Sequence, residues 1–120
     1  LDEFDQAIRK MGYEDRSKAV HIAMRNFITE YRWIREEGGL GVGAVIMLYD
    51  HQTRGLEDAL TSIQHGYEKI INSSMHVHLD EHNCLEIIAV KGQTRDVRDL
   101  SQRLMTERGV KQLKLTVIKP

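Results

Sequence analysis

The first third of the chain has apolar residues at the spacing of two amphipathic helices, over residues 1–11 and from Arg16 to about Ile34. Gly12 can stop the first helix, and Asp15 can cap the second. The two apolar stripes are Leu1, Phe4, Ile8 and Met11, and then Val20, Ala23, Met24, Phe27, Ile28 and Tyr31. Because two short helices cannot bury such stripes alone, we expect a partner chain, further sequence upstream, or both to cover them.

After residue 35 the pattern changes to strands that alternate with helices. Residues 36–43 hold four of the nine glycines and are interpreted as a linker or hinge. They precede a strand rather than follow one, which disfavours a dinucleotide-binding loop. Strands are predicted over 42–49, 73–79, 84–90 and 112–118, and helices over 55–71 and 94–108. The order β-α-β-β-α-β predicts an α+β, ferredoxin-like domain, a four-stranded antiparallel sheet with both helices on one face.

Composition narrows the function only slightly. The 120 residues are 41% hydrophobic and carry a formal net charge of -1, so no bulk charge attracts nucleic acid or membrane. We find no run of about 18 apolar residues and therefore expect no transmembrane helix and no membrane partner. The single cysteine, Cys84, excludes a disulfide framework within the chain and favours a reducing, cytoplasmic compartment.

Four of the six histidines lie close to that cysteine in the sequence: His65, His76, His78 and His82. Because strand side chains alternate, His76 and His78 should share one face, about 6–7 Å apart. The turn at 80–83 should return Cys84 beside His78. Two imidazoles and a thiolate suit zinc, copper or nickel and disfavour calcium and magnesium.

The same alternation assigns the two faces of the strand over 73–79. Met75, Val77 and Leu79 are predicted to pack against the helices. His76 and His78 would then open on the opposite face of the sheet.

His65 lies about 180° from the apolar stripe of its predicted helix and should point away from its own sheet. As a ligand it would have to serve another subunit, which would couple metal binding to assembly. Four protein ligands would leave no open position for substrate and favour sensing or structure over catalysis. A planar set would favour nickel or copper and a tetrahedral set zinc, and the residues leave both geometries open.

Several segments resemble the NikR family of nickel-responsive transcription regulators. The most specific is MHVHLDEHNCLEIIAVKG at 75–92, with Gln64 and His65 before it and RGVKQLKL at 108–115 after it. GYEDRSKAV at 12–20 is similar to the family's ribbon-helix-helix domain. The resemblance implies three parts: a ribbon-helix-helix DNA-binding domain at 1–35, incomplete at its N-terminus, a glycine-rich linker at 36–41, and a ferredoxin-like or ACT-type metal-binding and tetramerisation domain at 42–120.

The resemblance also implies a site. The implied Ni(2+) ligands are His76, His78 and Cys84 of one subunit and His65 of a neighbour, in a square plane, with Tyr49, Gln64 and Glu86 at positions that support them. The implied assembly is a homotetramer, a dimer of dimers, in which bound nickel enables operator binding and represses nickel-uptake genes. The implied protein is a regulator and not an enzyme.

DNA contacts can be assigned only in part. Arg16 and Ser17 match phosphate-contacting positions of the family, and Arg54, near the start of a helix, is a further candidate for a phosphate. The β-ribbon that reads bases in the family would precede Leu1.

Two other hypotheses remain, an ACT-type regulator that senses an amino acid, with incidental histidines, and a zinc hydrolase with Glu81 or Glu86 as general base.

Overall fold

The computed structural model describes residues 2–34 and 39–118. Contacts divide the chain into an N-terminal unit, Leu1–Arg35, and a C-terminal unit, Glu36–Pro120. The elements are α1 Asp2–Lys10, α2 Arg16–Ile34, β1 Leu40–Asp50, α3 Leu56–His65, β2 Ile71–His78, β3 Asn83–Gln93, α4 Thr94–Met105 and β4 Val110–Ile118. No helix among the described residues is long and apolar enough to cross a membrane.

The two helices of the N-terminal unit begin and end at the signals that the sequence carries. Gly12 has a φ of 79°, a conformation that glycine adopts without steric cost. The N–H of Tyr13 donates to the carbonyl oxygen of Ile8 at 3.2 Å, which closes the end of α1. The N–H of Lys18 donates to Asp15 Oδ1 at 2.7 Å, so Asp15 caps α2 as predicted.

The N-terminal unit buries little apolar surface. Among its described residues, Ile8 and Ala19 are the buried apolar side chains. Much of the predicted stripe of α2 is exposed, with Phe27 at 70% and Met24 at 59%. The sequence-based expectation that these helices cannot cover their own stripes agrees with this exposure.

The C-terminal unit has the predicted ferredoxin-like fold. Its sheet has the strand order β2-β3-β1-β4, and the neighbouring strands β1–β3, β1–β4 and β2–β3 are antiparallel. One face of the sheet and the apolar faces of α3 and α4 form the core, whose members include Val45, Met47, Leu56, Leu60, Ile63, Ile88, Val90, Val97, Leu100 and Leu104. The central strands β1 and β3 therefore hold the best-buried positions.

Both helices of this unit are shorter than predicted. Helix α3 ends at His65 and not at residue 71, because the N–H of Gly66 turns back to the carbonyl oxygen of Ile63 at 3.0 Å. Tyr67 and Ile70 consequently lie beyond the helix, although Ile70 is still buried. Helix α4 ends at Met105 and not at residue 108.

The prediction of the two faces of β2 was wrong. His76 pairs with Glu86 and His78 pairs with Cys84 in the register of β2 and β3. Directly opposed residues of an antiparallel pair share a face, and Cys84 and Glu86 are 2% and 1% exposed on the helix-covered face. Both histidines therefore lie on the helix side of the sheet.

Met75 and Val77 correspondingly lie on the open face, where they are 59% and 36% exposed. Val77 pairs with Leu85 and Met75 pairs with Ile87, so this part of the open face is apolar. Strand β2 is an edge strand, and its own side chains, unlike those of β1 and β3, are not covered by the helices. Alternation identifies which residues share a face, but it cannot say which face the helices cover.

Candidate metal centre

The side chains of His76 and Cys84 meet through a tyrosine. Tyr49 pairs with Cys84 in the β1–β3 register, which puts its ring on the same face of the sheet. Its hydroxyl lies 3.4 Å from His76 Nδ1. The pKa of Tyr49 is raised well above its usual value, mainly because the hydroxyl is buried. Hydrogen bonding to Cys84 and the nearby charges of Cys84 and Glu86 raise this pKa further. Tyr49 is therefore a neutral O–H donor at neutral pH.

Glu86 orients the other side of the His76 ring. Its Oε2 accepts a hydrogen bond from Gln64 Nε2 at 3.0 Å and lies 3.5 Å from His76 Nε2. A carboxylate at Nε2 favours the tautomer with the proton on that nitrogen, which leaves the Nδ1 lone pair facing the Tyr49 hydroxyl. A metal bound at Nδ1 would replace that contact. The positions of Tyr49, Gln64 and Glu86 thus converge on one predicted ligand.

One oxygen of this carboxylate is unpartnered. Glu86 is 1% exposed, and its Oε1 has no hydrogen-bond partner among the described residues. Leaving a buried acceptor unsatisfied is costly in free energy. A buried acceptor beside the His76 imidazole is suited to hold the N–H of a metal-bound imidazole.

His78 is exposed beside Cys84 and contacts another histidine. The rings of His78 and His51 are stacked, with centroids 4.6 Å apart and an interplanar angle of 24°. His51 was not among the candidate residues that the sequence pattern singled out. His51 directly follows β1, the strand that pairs with the cysteine-bearing strand β3. Because this pairing is known only from the folded sheet, the sequence alone could not bring His51 to His78.

His65 is separated from the other predicted ligands. It is the last residue of α3, its side chain is 81% exposed, and its Nε2 lies 3.4 Å from Glu68 Oε1. The preceding residue, Gln64, bonds Glu86, and one residue along a helix rotates the side chain by about 100°. The exposure of His65 agrees with the prediction that its side chain points away from its own sheet.

His76, His78 and Cys84 lie on one face of the sheet, but their side chains do not converge on a common metal position. Across residues 2–34 and 39–118, no group of three or more His, Cys, Asp or Glu side chains is arranged to hold a metal ion. The residue types nevertheless fit a borderline metal such as Ni(2+), because imidazole nitrogen and thiolate sulfur are the donors that such ions prefer.

His82 lies in the β2–β3 turn, away from the donors. Its Nδ1 is 3.7 Å from Asp50 Oδ1, and its side chain is 57% exposed. Asp80 closes the turn by accepting hydrogen bonds from the backbone N–H groups of His82 and Asn83, at 2.9 and 2.8 Å, and from the Asn83 side chain at 3.0 Å.

The candidate phosphate-binding residues are all exposed. Arg16 and Ser17 form the first turn of α2, and Arg16 Nε lies 3.6 Å from Asp5 Oδ1. Arg54 lies in the C-terminal unit, before Gly55 at the N-terminus of α3.

The family described as the NikR C-terminal nickel-binding domain matches residues 42–118. This range contains every predicted metal ligand and confirms the resemblance seen in the sequence.

Curated relatives match the whole chain. A protein of Methanocella arvoryzae named as a nickel-responsive regulator is 45% identical over 100% of this chain and 86% of its own length. One of Methanothrix thermoacetophila, with the same name, is 47% identical over 97% of this chain and 83% of its own length.

Solved structures show the same fold at low sequence identity. An uncharacterized protein from Thermotoga maritima is 14% identical with a TM-score of 0.59, covering 69% of this chain and 100% of that chain. The ACT domain of a GTP pyrophosphokinase from Chlorobium tepidum is 12% identical with a TM-score of 0.53, covering 62% of this chain and 96% of that chain. Both likenesses bear on the C-terminal fold alone.

Proposed function

The chain belongs to the NikR family of nickel-responsive regulators, with a nickel-binding domain at residues 42–118, and on that premise we propose that it is a repressor whose binding to operator DNA requires Ni(2+). The observation that carries the metal part is the strand register that puts His78 opposite Cys84, with the Tyr49 hydroxyl 3.4 Å from His76 Nδ1 on the same face. We propose that the repressed genes encode nickel uptake, that the protein is cytoplasmic, and that it is not an enzyme.

His76, His78 and Cys84 would hold nickel from one subunit. The register supports this set, because His78 lies opposite Cys84 and His76 lies opposite Glu86 on the same face. When bound, the ion would supply a cross-link between strands and subunits. The protein's own residues orient the donors: Glu86 holds the proton of His76 on Nε2, and Gln64 anchors Glu86.

His65 would complete the site of a neighbouring subunit. Its exposure at the end of α3, directly after the inward Gln64, supports that role. Nickel binding would then be linked to the arrangement of subunits in a homotetramer, a dimer of dimers, since a shared ligand favours the assembled state.

The exposed apolar surfaces support assembly from copies of this chain. In the N-terminal unit, six residues of α1 and α2 line an apolar groove: Phe4, Val20, Ala23, Met24, Phe27 and Ile28. In the C-terminal unit, Met75 and Val77 belong to an apolar open face of the sheet. Large exposed apolar patches mark interaction sites in soluble proteins.

DNA would be contacted by the N-terminal unit as a ribbon-helix-helix domain. Arg16 and Ser17 at the N-terminus of α2 suit phosphate, because a helix N-terminus presents free N–H groups and partial positive charge. Arg54 is a weaker candidate in the C-terminal unit.

Nickel occupancy would order the region of the β2–β3 turn and α3, and the linker at 36–41 would let paired DNA-binding domains adopt the spacing of an operator. The coupling requires that nickel bind this arrangement more tightly than others.

Nickel titration followed by ultraviolet–visible absorption tests the ligand set. We expect a thiolate-to-nickel charge-transfer band that is lost in Cys84→Ala and His76→Ala and retained in His82→Ala, the matched control from the same hairpin. Absence of the band in the wild-type protein, or its persistence without Cys84, contradicts the site.

Selection of random duplex DNA by the full-length protein, with and without nickel, tests the DNA part. Enrichment of one sequence only with nickel is the expected result, and equal enrichment without nickel contradicts nickel dependence. Tight amino-acid binding that survives Cys84→Ala would favour the ACT-type amino-acid sensor instead. A zinc hydrolase would need a free general base. Glu86 is buried and bonded to Gln64, so of the two candidate bases only the exposed Glu81 would be accessible.

A further inference from the structure

His51 lies between β1 and α3, outside the helices and strands, but both its backbone and its ring make hydrogen bonds. Its N–H donates to the carbonyl oxygen of His82 at 3.0 Å. Its Nε2–H donates to the carbonyl oxygen of Asp80 at 3.4 Å. The end of β1 is thereby tied to the β2–β3 turn, which Asp80 itself closes.

The face of the His51 ring lies against His78. The centroids are 4.6 Å apart and the rings are 24° from parallel. Imidazole lone pairs lie in the plane of the ring, and two imidazoles that bind one ion direct these lone pairs to a common point about 2 Å from each nitrogen. Two nearly parallel rings in a stack do not do so. The contact between His51 and His78 is therefore a packing contact and not a shared ligation.

His78 needs such a contact more than the other donors do. Cys84 is buried on a central strand, and His76 is held by Tyr49 and Glu86. His78 lies exposed on an edge strand, and the second side-chain torsion of histidine has broad minima that restrict the ring weakly.

We propose that His51 is a positioning residue that holds the His78 ring in the orientation in which it can bind metal beside Cys84. This inference rests on the proposed function, because it assumes that His78 is a ligand. Without the stack, the His78 ring would have to be ordered when the metal binds, which would weaken binding roughly 2- to 10-fold, the entropic cost of fixing one side chain.

Three variants separate stacking from ligation. His51→Ala removes the stack, His51→Phe keeps an aromatic face without any nitrogen, and His82→Ala is the control from the same turn. The nickel dissociation constant is measured by competition with a chelator, and the charge-transfer band is recorded for each protein. We expect His51→Ala to bind roughly 2- to 10-fold more weakly, with a shifted band, and both His51→Phe and His82→Ala to behave as wild type.

Wild-type affinity and band in His51→Ala would overturn the proposal. Equally weak binding by His51→Phe while the His78 ring protons keep their ring-current shift would also overturn it, because the stack would then be present without supporting the metal. A measurement without metal is independent of the nickel site. The ring protons of His78 should show an upfield ring-current shift in wild type and His51→Phe and lose it in His51→Ala. If wild type shows that shift but no nickel band, the proposed ligand set fails while the stacking geometry stands.

Discussion

The two units of this chain differ most in how they bury apolar side chains. In the C-terminal unit, Met47, Ile88 and Leu100 are all 0% exposed between the sheet and its two helices. In the N-terminal unit, Phe27 and Met24 are more than half exposed on α2. A sheet and a helical layer can cover each other, whereas two short helices offer too little surface to do so. The C-terminal unit is therefore stabilised by its own core, and the N-terminal unit leaves most of its stripe exposed.

Glycine substitutions provide the largest expected difference between the units. A Cβ at Gly43 would lie 1.9 Å from the backbone oxygen of Thr116 on β4, and backbone cannot rotate out of the way. We expect Gly43→Ala to lower the free energy of unfolding by more than about 4 kcal/mol, measured by urea denaturation and circular dichroism.

Gly12→Ala is the matched substitution in the N-terminal unit. Gly12 has a positive φ, but a Cβ there meets nothing within 4 Å. We expect a cost of about 1–2 kcal/mol from backbone strain alone. A smaller loss for Gly43→Ala than for Gly12→Ala would contradict the assigned packing of β1 against β4.

Truncation of apolar side chains sharpens the same comparison at a smaller scale. Leu100→Ala should cost about 3 kcal/mol in the C-terminal unit, because it leaves a cavity in a filled core. Phe27→Ala should change the stability of the isolated chain by no more than about 0.5 kcal/mol, since this ring is 70% exposed.

Assembly separates the two residues again. Phe27→Ala should weaken self-association in sedimentation velocity, and Leu100→Ala should not do so under conditions where it is folded. Unchanged association of Phe27→Ala would mean that the exposed stripe is not an interface between copies.

The smallest expected effect is the acid response of the β2–β3 turn. Hydrogen bonds from the Asn83 side chain and from the backbone of His82 and Asn83 lower the pKa of Asp80 to about 2. Because this folded-state pKa lies below the unfolded value of about 3.9, the stabilising contribution is complete above about pH 4 and is lost as the pH falls toward 2. Carboxyl chemical shifts followed by nuclear magnetic resonance should show this titration. In Asp80→Asn, the stability of the turn should lose its dependence on pH in that window, and an unaltered dependence would refute the assignment.

Local signals in the sequence were sufficient for the order of the helices and strands. Asp15 and Gly12 act at the helix ends where they were predicted to act, because capping depends on the residue and its immediate neighbours. The positions of Tyr49, Gln64 and Glu86 came from the family resemblance, and the structure brings them together around His76. The end of α3 was missed because the apolar spacing continues past Gly66 although the backbone turns there.

The sequence by itself determined the order of helices and strands, the shared face of His76 and His78, and the apolar stripe that α2 cannot bury, since all of these follow from residue type and spacing along one element. Only the tertiary structure decided that this face of β2 lies on the helix side of the sheet, and that His51 stacks on His78. The physical reason is that period-two alternation is the same for both faces of a strand, and that contacts between distant residues depend on which strands pair and in which register.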